Sequence, residues 1–456
     1  MPETGLFDVA IIGGGAAGLF LCSYLRETDL RVILFEQQEI LGRKLTATGN
    51  GRGNLSAVEV NVDHYFYDRN DPAAWDIIER VLAGLTPDNL QRRLADLGLA
   101  CTAIDGRIYP LSLQALSLQL TLRDAAFAPN IVVEQPARIV KLQASQPGCT
   151  GYTLYTDSGA SYSATCVVMA IGGPADPNLS GWQNLAELWE SAGLRMGRPF
   201  APALARLKLA NPARRLAGTR VQATVSVYDR PLDGKIIYAE TGEILFTEYG
   251  LSGIPILNVA GAVSPYMTRY QPELRLNFWP ERPEEELEQL LHSEYVHRKE
   301  RSLTEAFAGI FPEKLRQYLC TLALTTVAPD KLRCKEAESG KETNREVLSR
   351  IRLGDLLPDF IDEVRRLILG LTCPIIAVTD MGTAQTAIGG LKLEQFSASL
   401  EAKTGPGLFV CGELLDVTGL CGGYNLHWAF ASATAVARGI RKFFPDKGMR
   451  GEAGIA

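Results

Sequence analysis

Short apolar runs alternate with amphipathic stretches along the first part of the chain, and this alternation predicts strands separated by helices. An apolar strand at 9–12 leads into a glycine turn, a helical stretch follows to about Glu27, and a second apolar strand occupies 31–35. Strand, helix and strand in this order are typical of a βαβ unit with two parallel strands. The pattern therefore predicts an α/β fold at this end of the chain.

The turn inside this unit has the spacing Gly13-x-Gly15-x-x-Gly18, and the second strand is followed by Glu36. Gly13 allows a tight turn, Gly15 lets the backbone approach a pyrophosphate, and Gly18 lets the helix pack closely on the sheet. The helix N-terminus supplies amide donors, and Glu36 is placed to bind an adenosine ribose. The set predicts a nucleotide cofactor. A glycine-rich turn in an ordinary α/β protein is the alternative, and it leaves Glu36 unexplained.

Three patterns follow one another along the rest of the chain. The first part continues with periodic segments, which are predicted as helices at 72–83, 86–97 and 113–128 and as strands at 131–134, 138–143, 152–156 and 165–171. The segments 152–156 and 161–168 are predicted to form a hairpin. A β-rich stretch covers 198–279, a charged helical stretch covers 283–369, and after Cys373 the first pattern returns, with a strand at 408–411 and a helix at 422–442.

This order predicts a nucleotide-binding domain that is split by a large insertion. A chain of 456 residues is long enough for two or three domains. We place the first part of the nucleotide domain at 1–195, an inserted β-barrel domain at 196–280, a small helical domain at 281–345, a return segment at 346–371 and the second part of the nucleotide domain at 372–456. In such sheets the ligand lies beyond the carboxyl ends of the parallel strands.

Charge and composition exclude several classes of protein. The net charge of −6 gives no support to nucleic-acid binding. Nine scattered cysteines without a CxxC pair and four histidines outside metal-ligand spacing predict neither a disulfide framework nor a metal site. The apolar stretch 9–25 is broken by three glycines and lacks a basic flank, so we expect no export signal, no membrane span and a cytoplasmic protein. The oligomeric state is left open.

Two further glycine-rich segments fall where strands end. The loop 41–56 contains four glycines and the cations Arg43, Lys44 and Arg52, which would neutralise phosphate charge; a solvated basic loop is the alternative. The segment 407–430 is again predicted to form a strand, a glycine turn and a helix. A helix that begins at 422–425 presents a positive end, which would stabilise the negative charge that a flavin gains on reduction. Glu413 or Asp416 is a candidate for ribityl hydroxyls.

These residues together resemble a known group. The turn at 13–18, the segments GRKLTATGNGRGN (42–54) and GELLDVTGLCGGYNLHWAF (412–430), with FTEYGLSGIP (246–255) and AIGGLKLEQF (387–396), are similar to the HI0933-like flavoprotein family over the whole chain. The resemblance implies a Rossmann FAD domain, an inserted β-barrel and a small helical domain. It also implies FAD contacts at Gly13, Gly15, Ala17, Gly18, Glu36, Arg43, Lys44, Gly49, Gly51, Arg52, Asn54, Ala137, Arg138, Gly172, Gly173, Gly412, Glu413, Asp416, Gly423, Tyr424, Asn425 and Leu426.

The chain departs from this family at three places: Gly53 replaces a cysteine, and 172–181 and 200–208 differ from the usual segments. The resemblance implies an FAD-dependent oxidoreductase that transfers hydride to or from a small or polycyclic carbonyl, enone or amine metabolite. NAD(P)H is a candidate reductant, although no second glycine motif is present. Tyr424 and Cys421 are the candidate catalytic residues, with hydrogen bonding and packing as their structural alternatives. The alternative function is an FAD-binding protein with a scaffolding or RNA-associated role.

Overall fold

A computed structural model of the chain describes residues 6–145, 151–182, 185–229, 234–265, 267, 272–332 and 344–447. Cys149 and Cys334 lie outside the described residues. The strands are β1 (Leu6–Ile12), β2 (Val32–Phe35), β3 (Ser56–Ala57), β4 (Tyr65–Tyr67), β5 (Cys101–Ile104), β6 (Arg107–Pro110), β7 (Ile131–Glu134), β8 (Ile139–Ala144), β9 (Tyr152–Thr156), β10 (Ser161–Met169), β11 (Ala201–Ala203), β12 (Leu207–Leu209), β13 (Arg220–Tyr228), β14 (Ile236–Phe246), β15 (Gly250–Gly253), β16 (Glu273–Asn277), β17 (Leu371–Val378), β18 (Thr386–Ile388), β19 (Leu408–Val410) and β20 (Val417–Gly419).

The helices alternate with these strands or lie between groups of them in the sequence. They are α1 (Ala16–Leu25), α2 (Ala74–Ala83), α3 (Pro87–Asp96), α4 (Ala115–Ala126), α5 (Pro177–Ser180), α6 (Ala186–Glu190), α7 (Ile254–Val263), α8 (Glu284–His297), α9 (Glu313–Val327), α10 (Pro329–Leu332), α11 (Asn344–Arg350), α12 (Pro358–Gly370) and α13 (Tyr424–Phe443). No helix among the described residues combines the length and the apolar character that a bilayer span requires.

The chain divides into two compact units, 1–203 with 380–456 and 204–379. The first unit is built on a seven-stranded sheet in which β7, β2, β1, β10 and β19 run parallel, while β9 and β8 extend it antiparallel. All four residues of β2 are buried, as expected of a parallel sheet that is covered on both faces. The carboxyl ends of five parallel strands thus lie along one edge of this sheet.

Helices α1 and α13 pack against each other beside this sheet, although they lie far apart in the sequence. The rings of Phe20 and Phe430 are 4.6 Å apart, and both side chains are fully buried. The hydroxyls of Tyr24 and Thr434 are 3.1 Å apart. Close packing of α1 on α13 brings the N-termini of the two helices into the same unit, where both can serve one ligand.

The second unit contains a closed barrel with the strand order β12-β15-β14-β13-β16-β17. Its interior is filled by alternate residues, since Ala223, Val225 and Val227 of β13 are fully buried while Thr224 and Ser226 between them are partly exposed. This period of two is what a small barrel requires. Helices α8, α9 and α12 belong to the same unit.

The predicted fold class is confirmed: the chain is α/β, with a Rossmann-like parallel sheet, a closed β-barrel and helices. The unit boundaries fall at 203/204 and 379/380, whereas the predicted limits were 195/196 and 371/372. The difference at the second boundary arises because β17 completes the barrel by pairing with β12 and β16. The separate helical domain at 281–345 and the return segment at 346–371 stay predictions.

Most predicted elements of the first unit are present within a few residues of their expected bounds, including the hairpin of β9 and β10. Several features were not predicted. They include helix α7 inside the β-rich stretch, the small sheet of β3, β6 and β5, and the pairing of β4 with β20. The pairings of β3 with β6 and of β4 with β20 join segments that are distant in sequence, so local patterns carry little sign of them.

Candidate cofactor-binding site

The turn after β1 is shaped by its three motif glycines. Gly13 has φ +111°, and a Cβ there would lie 2.4 Å from the carbonyl oxygen of Ala170. A Cβ on Gly18 would lie 2.0 Å from the carbonyl oxygen of Gly13, so α1 can approach the turn only with glycine at this position. A Cβ on Gly15 would meet no atom within 4 Å. The structure therefore explains two glycines by packing and leaves the third bordering open space.

Glu36 follows β2 and lies against the same turn. Its carboxylate accepts hydrogen bonds of 2.8 Å from the backbone N–H groups of Gly14 and Gln38. Burial raises the pKa of this carboxyl above its ordinary value, and the backbone hydrogen bonds oppose that rise. The backbone N–H of Ala137 donates to the Glu36 carbonyl oxygen at 2.8 Å, and Arg138 follows directly. The strand ends of β2 and β7 are thereby joined beside the turn.

The basic loop forms a 3-10 helix at Arg43–Gly51 that is interrupted after Ala47. Gly49, Asn50 and Gly51 all have positive φ angles of 54° to 83°, a conformation that glycine adopts at little cost. A Cβ on Gly51 would meet nothing within 4 Å. Arg43 and Arg52 are exposed, and Arg43 donates to the side chain of Gln38 at 3.1 Å. The loop thus offers exposed cations and an open backbone edge.

The end of the same loop packs tightly. Gly53 has φ +72°, and a Cβ there would lie 2.8 Å from the Cα of Ala115 at the start of α4. The side-chain oxygen of Asn54 is buried and has no hydrogen-bond partner among the described residues. A Cβ on Gly423 would lie 2.5 Å from that oxygen. An unpartnered buried acceptor costs free energy, so Asn54 is a candidate to receive a hydrogen bond from a ligand.

Glu413 lies at the end of β19, after Gly412. Its carboxylate accepts hydrogen bonds from Lys44 at 3.1 Å, Thr386 at 2.7 Å and the backbone of Ala387 at 3.1 Å. Burial alone would raise the pKa of Glu413, because it disfavours the charged carboxylate. Lys44 and these hydrogen bonds outweigh burial and hold the pKa of Glu413 below its ordinary value. Lys44 and Glu413 were both predicted to contact a cofactor, and the structure brings them together.

The two glycines after β10 have different surroundings. A Cβ on Gly173 would lie 2.7 Å from the Glu413 carboxyl carbon, so this glycine is needed for close packing. Gly172 has φ +73°, and a Cβ there would meet nothing within 4 Å. Gly172 thus resembles Gly15 and Gly51 in bordering open space.

Asp416 was also a candidate for ribityl hydroxyls. Its side chain is only 2 % exposed, and both carboxylate oxygens accept hydrogen bonds from Arg198, at 2.8 Å and 2.6 Å. Burial raises the pKa of Asp416, and the Arg198 guanidinium opposes this. Because a bidentate pair occupies the carboxylate, a structural role for Asp416 is favoured over direct ligand binding.

The N-terminus of α13 is held by Asn425 of its own first turn and by His64, which directly precedes β4. The side-chain amide of Asn425 accepts from and donates to the backbone of Gly419, both at 2.8 Å. The ring of Tyr424 stacks on His64, with centroids 4.5 Å apart and planes 10° apart. Cys421 and Leu426 flank this turn and are partly buried. The arrangement fixes the direction in which the first free amides of α13 point.

One buried pair near α13 was missed by sequence reasoning. The Nδ1 atom of His427 lies 2.8 Å from the hydroxyl of Ser56, and both side chains are fully buried. Burial lowers the pKa of His427 to about 4, so the ring is neutral at neutral pH. A helical histidine that falls on the buried face was expected as an interior residue, but nothing in the sequence pointed to Ser56.

The residues predicted to hold a cofactor therefore gather along one edge of the first unit. The ends of β1, β2, β7, β10 and β19 contribute Gly13, Glu36, Ala137, Gly172 and Gly412 in turn. Among the residues that the structure describes, no group of three or more His, Cys, Asp and Glu side chains could hold a metal ion.

Comparison with known proteins agrees with this arrangement. The chain matches the family described as HI0933-like protein Rossmann domain over residues 7–439. It is 28 % identical to the 3-dehydro-bile acid delta(4,6)-reductase of Clostridium scindens, over 94 % of this chain and 98 % of that protein. It is 25 % identical to the ribosomal RNA dihydrouridine synthase of Escherichia coli, over 95 % of this chain and 98 % of that protein.

A Haemophilus influenzae protein with the same dihydrouridine synthase name is 24 % identical, over 95 % of this chain and 98 % of that protein. Among solved structures, the Escherichia coli quinol fumarate reductase FrdA aligns with a TM-score of 0.47 and 13 % identity, over 99 % of this chain and 72 % of that chain.

Proposed function

The chain belongs to the HI0933-like family, as its motifs predicted, and we propose that it is an FAD-dependent reductase of carbon–carbon double bonds conjugated to a carbonyl group. The substrate we propose is a small or polycyclic enone metabolite. The observation that carries this proposal is the edge of five parallel strand ends, with Gly15 open at its centre, in a chain related over nearly its full length to a bile-acid reductase.

The residues at this edge fit FAD. Gly15, Gly51 and Gly172 border space in which an added Cβ would touch nothing, as backbone that must approach a pyrophosphate requires. Asn54 provides a buried acceptor without a partner among the described residues. Arg43 is exposed beside the same loop and suits phosphate. FAD would be held by the other residues of the predicted set, while Asp416 pairs with Arg198 and does not touch the cofactor.

FAD, when bound, supplies hydride transfer. The chain itself must orient the enone and deliver a proton to the carbon next to the carbonyl, because saturation adds both a hydride and a proton. We assign the proton to the hydroxyl of Tyr424, whose ring is fixed by stacking on His64. Cys421 in the preceding turn is the alternative donor. Neither side chain is fully buried, so a substrate can reach both.

The reductant we propose is NADH or NADPH, docked without a second dinucleotide motif. The test is anaerobic stopped-flow absorbance, in which FAD-loaded protein is mixed with each nicotinamide and then with an α,β-unsaturated ketone. We expect fast bleaching of the flavin band, followed by reoxidation with the enone but not with the matched saturated ketone. Bleaching that no enone reverses would refute the substrate class. Absence of bound flavin after reconstitution would refute the whole proposal.

A second candidate substrate comes from the relatives named ribosomal RNA dihydrouridine synthase. Dihydrouridine is formed by saturating a carbon–carbon double bond conjugated to a carbonyl, so the chemistry would be the same and the substrate an RNA. The net charge of −6 makes a polyanionic substrate less favourable. Mass spectrometry of ribosomal RNA after incubation with protein and reductant separates the two, since only the RNA candidate produces dihydrouridine. A scaffolding role would give neither product.

A further inference from the structure

A cleft of about 610 Å³ lies on the outside of the barrel in the second unit, and no residue of the cofactor edge lines it. The cleft is formed by outward-facing residues of β13 and β16, by the start of β17 and by the last turns of α12. Its volume is in the range of roughly 300–1,000 Å³ that small-molecule sites occupy. The cleft is therefore large enough for an organic ligand and not merely for an ion.

The lining is rich in hydrogen-bond donors. The hydroxyls of Ser226 and Thr372 have no hydrogen-bond partner among the residues that the structure describes. The side-chain oxygen of Asn277 accepts a hydrogen bond of 2.8 Å from the backbone of Trp279, which leaves its N–H groups to donate. Such a surface suits a ligand whose polar atoms are mainly acceptors.

Two of the three arginines that line the cleft are paired with a carboxylate of the described part of the chain, and the third is not. Arg275 is paired with Glu273 at 2.9 Å, and Arg366 makes two hydrogen bonds of 2.7 Å to Glu363. Arg365, the neighbour of Arg366 on α12, is partly buried and has no carboxylate partner among the described residues. One guanidinium is thus left to pair with an anion from outside the chain.

We propose that this cleft binds a small organic anion with a single carboxylate or phosphate monoester group. The charged group pairs with Arg365, and the polar remainder of the ligand accepts hydrogen bonds from Ser226, Thr372 and Asn277. Glu284, in the first turn of α8, also lines the cleft. Its carboxylate repels a second anionic group on the ligand, so the cleft favours a ligand that carries only one such group.

Isothermal titration calorimetry of the FAD-loaded protein tests this proposal, because bound FAD keeps phosphate out of the cofactor edge. The probes are inorganic phosphate and benzoate, titrated separately at constant ionic strength, and they distinguish a phosphate ligand from a carboxylate. We expect saturable binding of one of them. Arg365→Gln should weaken it about tenfold or more, because a hydrogen bond to a charged group is lost.

The matched control is Arg220→Gln. Arg220 also lies on the barrel, at the start of β13, but it pairs with Glu243 at 2.6 Å and does not line the cleft. This variant should bind the probe as the unaltered protein does. Arg365→Lys provides a second test within the cleft if Arg365→Gln unfolds, and we expect it to weaken binding severalfold, because the planar fork that pairs with a carboxylate or phosphate is lost. Absence of saturable binding by both probes, or equal affinity in the cleft variants and the control, would overturn the proposal.

Discussion

A single substitution at Gly15, which adds one methyl group, should weaken cofactor binding without disturbing the fold. The residue has φ −85° and ψ −161°, which alanine adopts without strain, and a Cβ there touches no atom of the folded chain. Gly15→Ala should therefore leave the apoprotein folded. The expected loss of stability is below about 1 kcal/mol, the usual effect of alanine at the N-cap of a helix.

The same methyl group would occupy the space into which a pyrophosphate must come. Moving the phosphate away from the first amides of α1 removes at least one charge-assisted hydrogen bond, worth about 1.5–3 kcal/mol. The Kd for FAD should rise by about 10- to 150-fold, since each 1.4 kcal/mol corresponds to a factor of about ten. Gly18→Ala should behave in the opposite way, because its Cβ would lie 2.0 Å from the Gly13 carbonyl oxygen and destabilise the fold itself.

Each apoprotein is titrated with FAD, and binding is monitored by the quenching of flavin fluorescence. Thermal unfolding of each apoprotein is measured separately by circular dichroism. Gly309→Ala is the matched control, because a Cβ there also meets no atom and the residue lies in the second unit. It should bind FAD normally. If Gly15→Ala binds FAD as tightly as this control, the pyrophosphate does not approach Gly15, and the assignment of the cofactor edge is wrong.

Three further substitutions test the surroundings of this edge. Arg198→Ala would leave the buried Asp416 carboxylate without its partner, and urea unfolding should show a loss of about 3–5 kcal/mol. The pKa of His427 is about 4 in the fold and 6.5 in an unfolded chain, so its contribution of about 3 kcal/mol to the free energy of unfolding is present above pH 6.5 and is lost as the pH falls to 4. His427→Gln should flatten the dependence of the unfolding free energy on pH between 6.5 and 4. An unchanged slope in this range would contradict the pKa assignment. Gly53→Cys should lower the thermal unfolding temperature, because φ is +72° and the Cβ would lie 2.8 Å from Ala115.

The sequence was sufficient for the parts of the fold that rest on local patterns. The βαβ unit, the hairpin and the helix after Gly423 each have their own apolar period and punctuating glycines, and the structure contains all three. The end of the barrel was placed too early, because the segment 371–378 has no alternation that distinguishes a barrel strand from a return to the parallel sheet. Only its pairing with β12 and β16 identifies it.

The candidate site shows the same division. The glycines that need positive φ or close approach were recognisable from their spacing. The partners of buried polar side chains were not, because Asp416 with Arg198 and Ser56 with His427 are separated by more than 200 residues. Asp416 was interpreted as a ligand-binding carboxylate for this reason. A carboxylate beside a glycine turn has the same local sequence whether an arginine of the same chain or a ribityl hydroxyl occupies it.

The pairing of β19 with β10 and the packing of α13 on α1 have a consequence for how the protein is made. Tyr24 and Thr434 meet across 410 positions, and Lys44 meets Glu413 across 369. On the ribosome, helix α1 and the loop that contains Lys44 lack these partners until nearly the whole chain has emerged. Contacts of such high sequence separation slow folding and prolong the exposure of apolar surface. Since only the finished sheet offers all five strand ends, we expect the nascent chain to acquire its cofactor after synthesis and not during it.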